Sequence, residues 1–309
     1  MSEVTSSSPS FNPWRLSVAP MMDWSDRHCR YLHRLLTRHT LLYTEMVTTG
    51  ALRHGSVQRH LRFNAEEHPV ALQLGGSDAA DLAHAAKLGQ EWGYDEINLN
   101  CGCPSDRVQR GAFGACLMAE PNLVAECVKA MKGEVDIPIS VKHRLGLDSM
   151  DAANSEVDYQ FALNFILAVA DAGASQVTIH ARNAVLKGLS PKENRSKPPL
   201  RYEVAAKLRL DAQKQFPGLK VLLNGGLESN EQIAGHWDDF DGFMVGRAAY
   251  HFPALLLGWD DMINTDGDAA GYLFSETEWH RIQIALVKQV QAWFDECQAK
   301  GKSFYIGAF

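Results

Sequence analysis

The stretch Leu219-Lys220-Val221-Leu222-Leu223-Asn224-Gly225-Gly226 sets three apolar residues in a row and then stops at an amide and two glycines. A strand with one wet face alternates, whereas an unbroken apolar run reads as a strand buried on both faces, the state of a parallel sheet covered by helices. Gly242–Val245 repeats the pattern and ends at Gly246-Arg247. Working back toward the N-terminus, comparable runs occupy Gln176–His180, Ile137–His143, Asp95–Asn100, Pro69–Gly75, Leu41–Val47 and Leu16–Met21. Between them lie segments such as Asp78–Gly93 and Asn122–Lys132, whose apolar residues recur at three and four, the mark of crossover helices. Eight β-then-α units match a barrel of about 250 residues. A doubly wound sheet is the competitor, and the unit count, the polar strand ends and the lack of an early G-x-G-x-x-G weigh against it. After Pro253 the pattern changes: Glu276–Lys300 reads as one long helix carrying Trp279, Ile282, Leu286, Val290 and Trp293 on a common face, joined through Asn264–Gly271. The expected fold is an α/β (β/α)8 TIM barrel over residues 13–253, followed by a small C-terminal helical domain over 254–309 and preceded by a disordered, serine-rich leader over 1–12.

The chain has 309 residues, of which 46% are apolar and 22% charged, an ordinary globular composition. No apolar run approaches the roughly 20 residues needed to cross a bilayer, and the leader lacks the apolar core of a secretory signal, so a cytoplasmic address is expected. Six cysteines are too few for a disulfide scaffold. The formal charge of −7 argues mildly against nucleic acid as a partner, although a local basic patch overrides a total.

In such a barrel the chemistry sits at the carboxyl ends of the strands. Those ends carry Ala19-Pro20-Met21, Glu45-Met46, Gln73, Asn98–Pro104, Lys142, Arg144, His180, Arg182, Asn224-Gly225-Gly226 and Gly246-Arg247. Packing alone would be satisfied by apolar ends. Glycines after the last two strands suit a phosphate cradle, since they let backbone N–H groups approach an anion; alone, Gly225-Gly226 would read equally as a turn. Lys142 at a buried strand end asks for a facing negative charge, which the N1–C2=O edge of a reduced flavin supplies. Gln73 has the donor and acceptor to bond that heterocycle, or is a plain loop amide; His180 reaches the phosphate or ribityl chain, or is structural. The Cys101-x-Cys103 spacing is poor for zinc, so no metal is expected. Cys101 reads as a small buried hydrophobe, and Cys103, on a loop, as a candidate general acid.

Taken together, Ala19–Asp23, Tyr43–Met46, Gln73–Gly76, Asn98–Pro104, Ser140–Arg144, His180–Arg182 and Asn224–Gly226 resemble the tRNA-dihydrouridine synthases. Leu41–His54 and Gly188–Arg195 are similar to subgroup A of that family, which reduces the D-loop uridines called 20 and 20a. The resemblance runs in order from about Pro13 to Pro253. It implies FMN as cofactor, NADPH as reductant and a tRNA uracil stacked on the flavin. The family's cofactor residues fall on Ala19, Pro20, Met21, Gln73, Lys142, His180, Asn224, Gly225, Gly226, Gly246 and Arg247, its proton donor on Cys103, and its tRNA contacts on Asn100, Lys192 and Arg195. A monomer is expected. Two basic clusters are candidates for holding tRNA: Arg27, Arg30, Arg34 and Arg38 at helical spacing, equally a solvated helix face, and Lys187, Lys192, Arg195, Lys197 and Arg201 after the sixth run. Two departures stand out. The family's helical domain continues beyond the position of Phe309, with further tRNA-contacting arginines, and the loop Leu147–Asp158 reads as slightly lengthened. The alternatives are an FMN barrel reducing a free pyrimidine or small enone, which needs no basic loop, and an RNA-binding module that holds or refolds tRNA without modifying it.

Overall fold

The computed structural model describes residues 14–147, 155–267 and 276–299. The expected leader, the middle of the loop Leu147–Asp158, most of the joining segment after Gly267 and the stretch Tyr305–Phe309 lie outside the described residues. Parallel strands β1 (Leu16–Val18), β2 (Leu41–Tyr43), β4 (Val70–Gly75), β5 (Glu96–Cys101), β6 (Ile139–Arg144), β7 (Gln176–His180), β8 (Lys220–Asn224) and β9 (Gly242–Val245) follow one another around a cylinder. The closure is made by β1 pairing with both β2 and β9, and by β2 pairing with β4. A two-residue strand, β3 (Val47–Thr48), pairs with the end of β4, so the run expected over Leu41–Val47 is broken in two.

The break is local: Thr44 turns its hydroxyl to the backbone, donating to the Glu45 carbonyl at 2.7 Å and accepting the Gln73 N–H at 3.0 Å. Helices α1 (Arg27–Leu36), α2 (Thr49–His54), α3 (Val57–Leu61), α4 (Ala79–Glu91), α5 (Asp106–Arg110), α6 (Pro121–Glu134), α7 (Ser155–Asp171), α8 (Tyr202–Gln215), α9 (Asn230–Ala234) and α10 (Arg247–His251) return the chain between strands or cover the mouth. α11 (Trp259–Asn264) and α12 (Glu276–Ala299) follow the barrel. Side-chain caps open several of these helices: Asp26 accepts the N–H groups of His28 and Cys29, and Asp78 that of Asp81.

Most of the apolar core lies between strands and helices, where residues such as Leu72, Ile97, Leu99, Val141, Ile179 and Leu223 are fully buried. The interior of the cylinder is different. Its apolar part is a small cluster of Ala19, Leu41, Tyr43, Ala71 and Met244 with Trp14 against it, and the remaining space is filled by hydrogen-bonded polar side chains. The α12 face expected from the sequence is partly realised: Ile282 is buried, Trp293 packs edge-on against His28 with ring centroids 3.5 Å apart, and Trp279 stays about half exposed. The helix is therefore laid across α1.

Candidate active site

A cavity of about 990 Å³ opens at the carboxyl end of the barrel. Every cofactor, proton-donor and tRNA residue that the resemblance implies lines it except Lys192, which stands exposed on the loop after β7; of the other strand-end candidates, Asn98 and Arg182 do not line it. The loop and helix elements that hold these residues tie neighbouring strands together: Trp24, after β1, stacks on Tyr250, in α10 after β9, with centroids 4.5 Å apart.

The turn after β8 shows what the glycines are for. Gly225 and Gly226 both take positive φ, +106° and +70°. A Cβ on Gly225 would come within 2.4 Å of the His180 ring, and one on Gly226 within 2.5 Å of Leu200. Any side chain here would be strained and would displace His180, so the backbone is bare where the cavity needs it. Gly246, by contrast, has φ −104° and room for a Cβ; it lines the cavity at the bend into α10.

Lys142, on β6, points its ammonium at Asn224, Nζ to Oδ1 2.9 Å, and Asn224 is fixed in turn by donating to the Met244 carbonyl at 2.6 Å. Burial first, and the nearby Arg144 second, push the Lys142 pKa down to about 7. His180 is held neutral: burial, then Arg144, Lys142, Arg182 and Arg195, depress it well below its ordinary value. Arg144 is itself lowered to about 10, first by burial and then by Arg195 and Arg182. Among the described residues no carboxylate contributes to the field on Lys142, Arg144, His180 or Arg195. The Lys142 ammonium, the Arg144, Arg195 and Arg247 guanidinium groups and a bare glycine turn thus form one wall of the cavity; the carboxylates that also line it, Asp23, Asp26, Glu45 and Glu228, do not offset the field on Lys142, Arg144 or Arg195, and this wall is a donor set that fits an anionic cofactor with a phosphate tail.

The opposite wall is made of amides. Gln73 (β4) donates from Nε2 to Asn98 Oδ1 at 2.7 Å and accepts from Asn100 Nδ2 at 2.8 Å, both on β5. Asn100 Oδ1 accepts the backbone N–H groups of Gly102 (3.1 Å) and Cys103 (3.0 Å), which shapes the loop after β5. Cys103 is half-buried, lines the cavity and points its thiol at Ser105 Oγ, 3.5 Å away. Cys101 is fully buried on the outer face of β5, as a small hydrophobe. Arg144 ties this loop to the one after β7, donating to the carbonyls of Gly102, Asn183 and Asn194 at 3.0, 3.1 and 2.8 Å.

The basic clusters divide. Arg30 is buried against Glu67 (Nε to Oε2 2.6 Å), and Arg34 donates to the carbonyls of Thr37, Thr40, Glu67 and Pro69, so the α1 arginines are not one basic face. Arg27 lines the cavity and lies over the Trp293 ring. In the loop after β7, Arg201 is buried against Asp158 and Lys197 pairs with Glu193 at 2.7 Å, which leaves Arg195 at the cavity wall and Lys187 and Lys192 exposed beyond it. Arg182 turns outward to the Ser196 and Pro198 carbonyls. Residues not singled out in the sequence, Arg59 and His60 of α3, Arg62 just after it and Arg107 of α5, join the rim. No periodicity marks them; the fold alone brings them there.

A closed parallel barrel with a cationic, glycine-lined wall and a facing thiol at its carboxyl end defines an enzyme of the (β/α)8-barrel class. Residues 17–289 match the family described as dihydrouridine synthase. Among curated relatives, the tRNA-dihydrouridine(20/20a) synthase of Vibrio cholerae is 59% identical over 250 residues, 81% of this chain and 73% of that protein. The proteins of the same name from Pseudomonas putida and a Synechocystis species are 56% and 58% identical, each over about 80% of this chain and 71% and 70% of their own length. The chain belongs to the dihydrouridine synthase family, a family of oxidoreductases. Among the described residues, no helix is long and apolar enough to cross a membrane, and no three His, Cys, Asp or Glu side chains gather as a metal site.

Proposed function

We propose that this chain reduces uridine to 5,6-dihydrouridine in the D-loop of tRNA, at positions 20 and 20a, with FMN as cofactor and NADPH as reductant. The observation that carries the reading is the pairing of a cationic wall, on whose Lys142 and Arg144 no carboxylate acts, with a thiol across a single cavity. Family membership and relatives named for positions 20 and 20a support it.

When bound, FMN supplies the hydride that is transferred to uracil C6. Gly225, Gly226, Gly246 and Arg247 receive its phosphate; Lys142, Gln73 and the Ala19-Pro20-Met21 turn hold the ring system; His180, neutral and pressed against Gly225, offers one donor and one acceptor to the chain between them. The Lys142 ammonium favours the anionic, reduced form of the cofactor. Cys103 delivers a proton to C5 as the C5–C6 double bond is saturated, so hydride and proton together complete the reduction. Asn100 keeps the thiol loop in place and contacts the nucleotide, and Arg195 and Lys192 hold the tRNA backbone once the uracil has left its stack.

The test is the visible absorption of the purified protein, followed by the rate at which its reduced flavin is reoxidised. Flavin bands and faster reoxidation with unmodified tRNA than with free uracil are expected. Reoxidation by free uracil but not by tRNA would instead make the protein a small-pyrimidine reductase.

A further inference from the structure

Along β5 the sequence Glu96-Ile97-Asn98-Leu99-Asn100-Cys101 alternates, sending Ile97, Leu99 and Cys101 into the outer core and Glu96, Asn98 and Asn100 toward the barrel interior. Flanking strands place Gln73 beside Asn98 on one side and Ser140 on the other. At the bottom, the fully buried Glu96 carboxylate receives three donors: Trp14 Nε1 at 2.6 Å, the Tyr43 hydroxyl at 2.7 Å and the Ser140 hydroxyl. Ser140 has one proton and spends it on Glu96, so toward Asn98 Nδ2, at 2.7 Å, it can only accept. Asn98 Oδ1 therefore faces Gln73, Gln73 Oε1 faces Asn100, and Asn100 Oδ1 faces the amides of Gly102 and Cys103. One end of the chain is a pure acceptor and the other is backbone N–H, a pure donor. Every amide between them has a single orientation.

We propose that Glu96, at the floor of the barrel, is the positioning residue that sets the polarity of this chain and thereby holds Gln73 and the Cys103 loop in their working orientation. The inference rests on the assignment of Cys103 as proton donor, but its first readout does not. In E96Q the new amide has one oxygen for three donors. Ser140 and Tyr43 hydroxyls can rotate to accept from the amide nitrogen, whereas the Trp14 indole N–H can only donate, so the oxygen goes to Trp14. Ser140, no longer donating to Glu96, has its proton to place; donating it upward to Asn98 turns over each amide above it, and Asn100 then presents an NH2 group to the Gly102 and Cys103 amides. Replacing Trp14 by phenylalanine removes the competing donor and lets the oxygen of E96Q return to Ser140.

Hydrogen exchange at the Gly102 and Cys103 amides, measured on the protein as purified, reads the chain directly. E96Q is expected to exchange there about tenfold faster, the factor that follows from one lost hydrogen bond, with the β7 and β8 amides unchanged. Reoxidation by tRNA slows in parallel, and W14F/E96Q regains most of both losses. S140A, which removes a link instead of reversing it, leaves Asn98 without its acceptor, speeds exchange by less than E96Q and is not rescued by W14F; it carries the test if E96Q does not fold. Unaltered exchange in E96Q or, where that variant does not fold, in S140A overturns the proposal, as does an E96Q defect that W14F leaves in place. Faster exchange with undiminished tRNA reduction upholds the chain and overturns the role given to Cys103.

Discussion

The two walls of the cavity hold their polar groups by opposite means. From β6 to β9 the wall is cationic and incomplete: burial lowers the pKa of Lys142, Arg144, Arg195 and His180, neighbouring cations lower each of them further, and no carboxylate among the described residues relieves them. From β4 to β5 the wall is neutral and complete, each amide being satisfied by the next down to Glu96. An incomplete wall gains from its ligand, since an anion removes repulsion already present in the fold. A wall whose amides already hold one another gives the ligand a fixed geometry. Binding energy belongs to the first and orientation to the second, and substitutions on the two sides should fail differently.

The largest effect is expected on the amide side, at the thiol it carries. Cys103→Ala should slow reoxidation by tRNA by about 10²- to 10⁴-fold, the usual contribution of a positioned proton donor, while flavin content and reduction by NADPH stay as in the parent. Single-turnover stopped-flow separates the two half-reactions. Equal loss in both would merge the walls into one functional unit.

On the cationic side the expected failure is in binding. Lys142→Met should weaken FMN by about ten- to a hundredfold, the range of one charge-assisted hydrogen bond, measured by quenching of flavin fluorescence. A pH series sharpens the point. With its pKa near 7, Lys142 in the cofactor-free protein loses its charge as pH rises above 7. FMN affinity should then fall with pH, by at most about tenfold per unit, and the fall should vanish in Lys142→Met. The stability of the cofactor-free fold moves the other way: a lysine whose pKa is lowered on folding destabilises the fold below that pKa, and the penalty lifts as pH rises through 7 toward the unfolded-state value.

The same contrast explains what was legible in the sequence. The cationic wall uses residues that stand out singly, a lysine at a strand end and paired glycines after an apolar run, so Lys142, Gly225 and Gly226 are visible as soon as the strands are found. The strands themselves are found because burial on both faces leaves them continuously apolar; Gln176–His180 and Gly242–Val245 coincide with the observed β7 and β9. The amide wall is hidden by the same logic. Glu96, Asn98 and Ser140 are polar residues inside a barrel, where the expectation is packing, and their meaning lies in partners on neighbouring strands. The alternation Glu-Ile-Asn-Leu-Asn is the one local signal of an interior polar column. Arginines mislead for a related reason. Spacing puts Arg30 and Arg34 on the helix bearing Arg27, but the Glu67 carboxylate and the carbonyls that fix them come from residues that the linear sequence does not place beside them.

The smallest expected effect lies outside both walls, on the loop after β7, where two of the five cations already have carboxylate partners. Arg201 serves Asp158 and Lys197 serves Glu193, so neither is available to a phosphate without giving up an ion pair. Arg195 lines the cavity and shares the field of Arg247 and Cys103, which places it where the nucleotide backbone must pass if the uracil is to reach the thiol. Lys192 stands exposed one turn away and meets only the outer backbone. Arg195→Ala should therefore raise KM for tRNA by about three- to tenfold and reduce the slope of log affinity against log salt by about 0.7 to 0.9, the contribution of one phosphate contact. Lys192→Ala should change the slope by a similar amount with a smaller rise in KM, because its contact is farther from the base. In both variants the rate at saturating tRNA is unchanged. A fall in that rate for Arg195→Ala would mean that the loop also orients the uracil, and the division between binding and geometry would then run through the loop rather than between the walls.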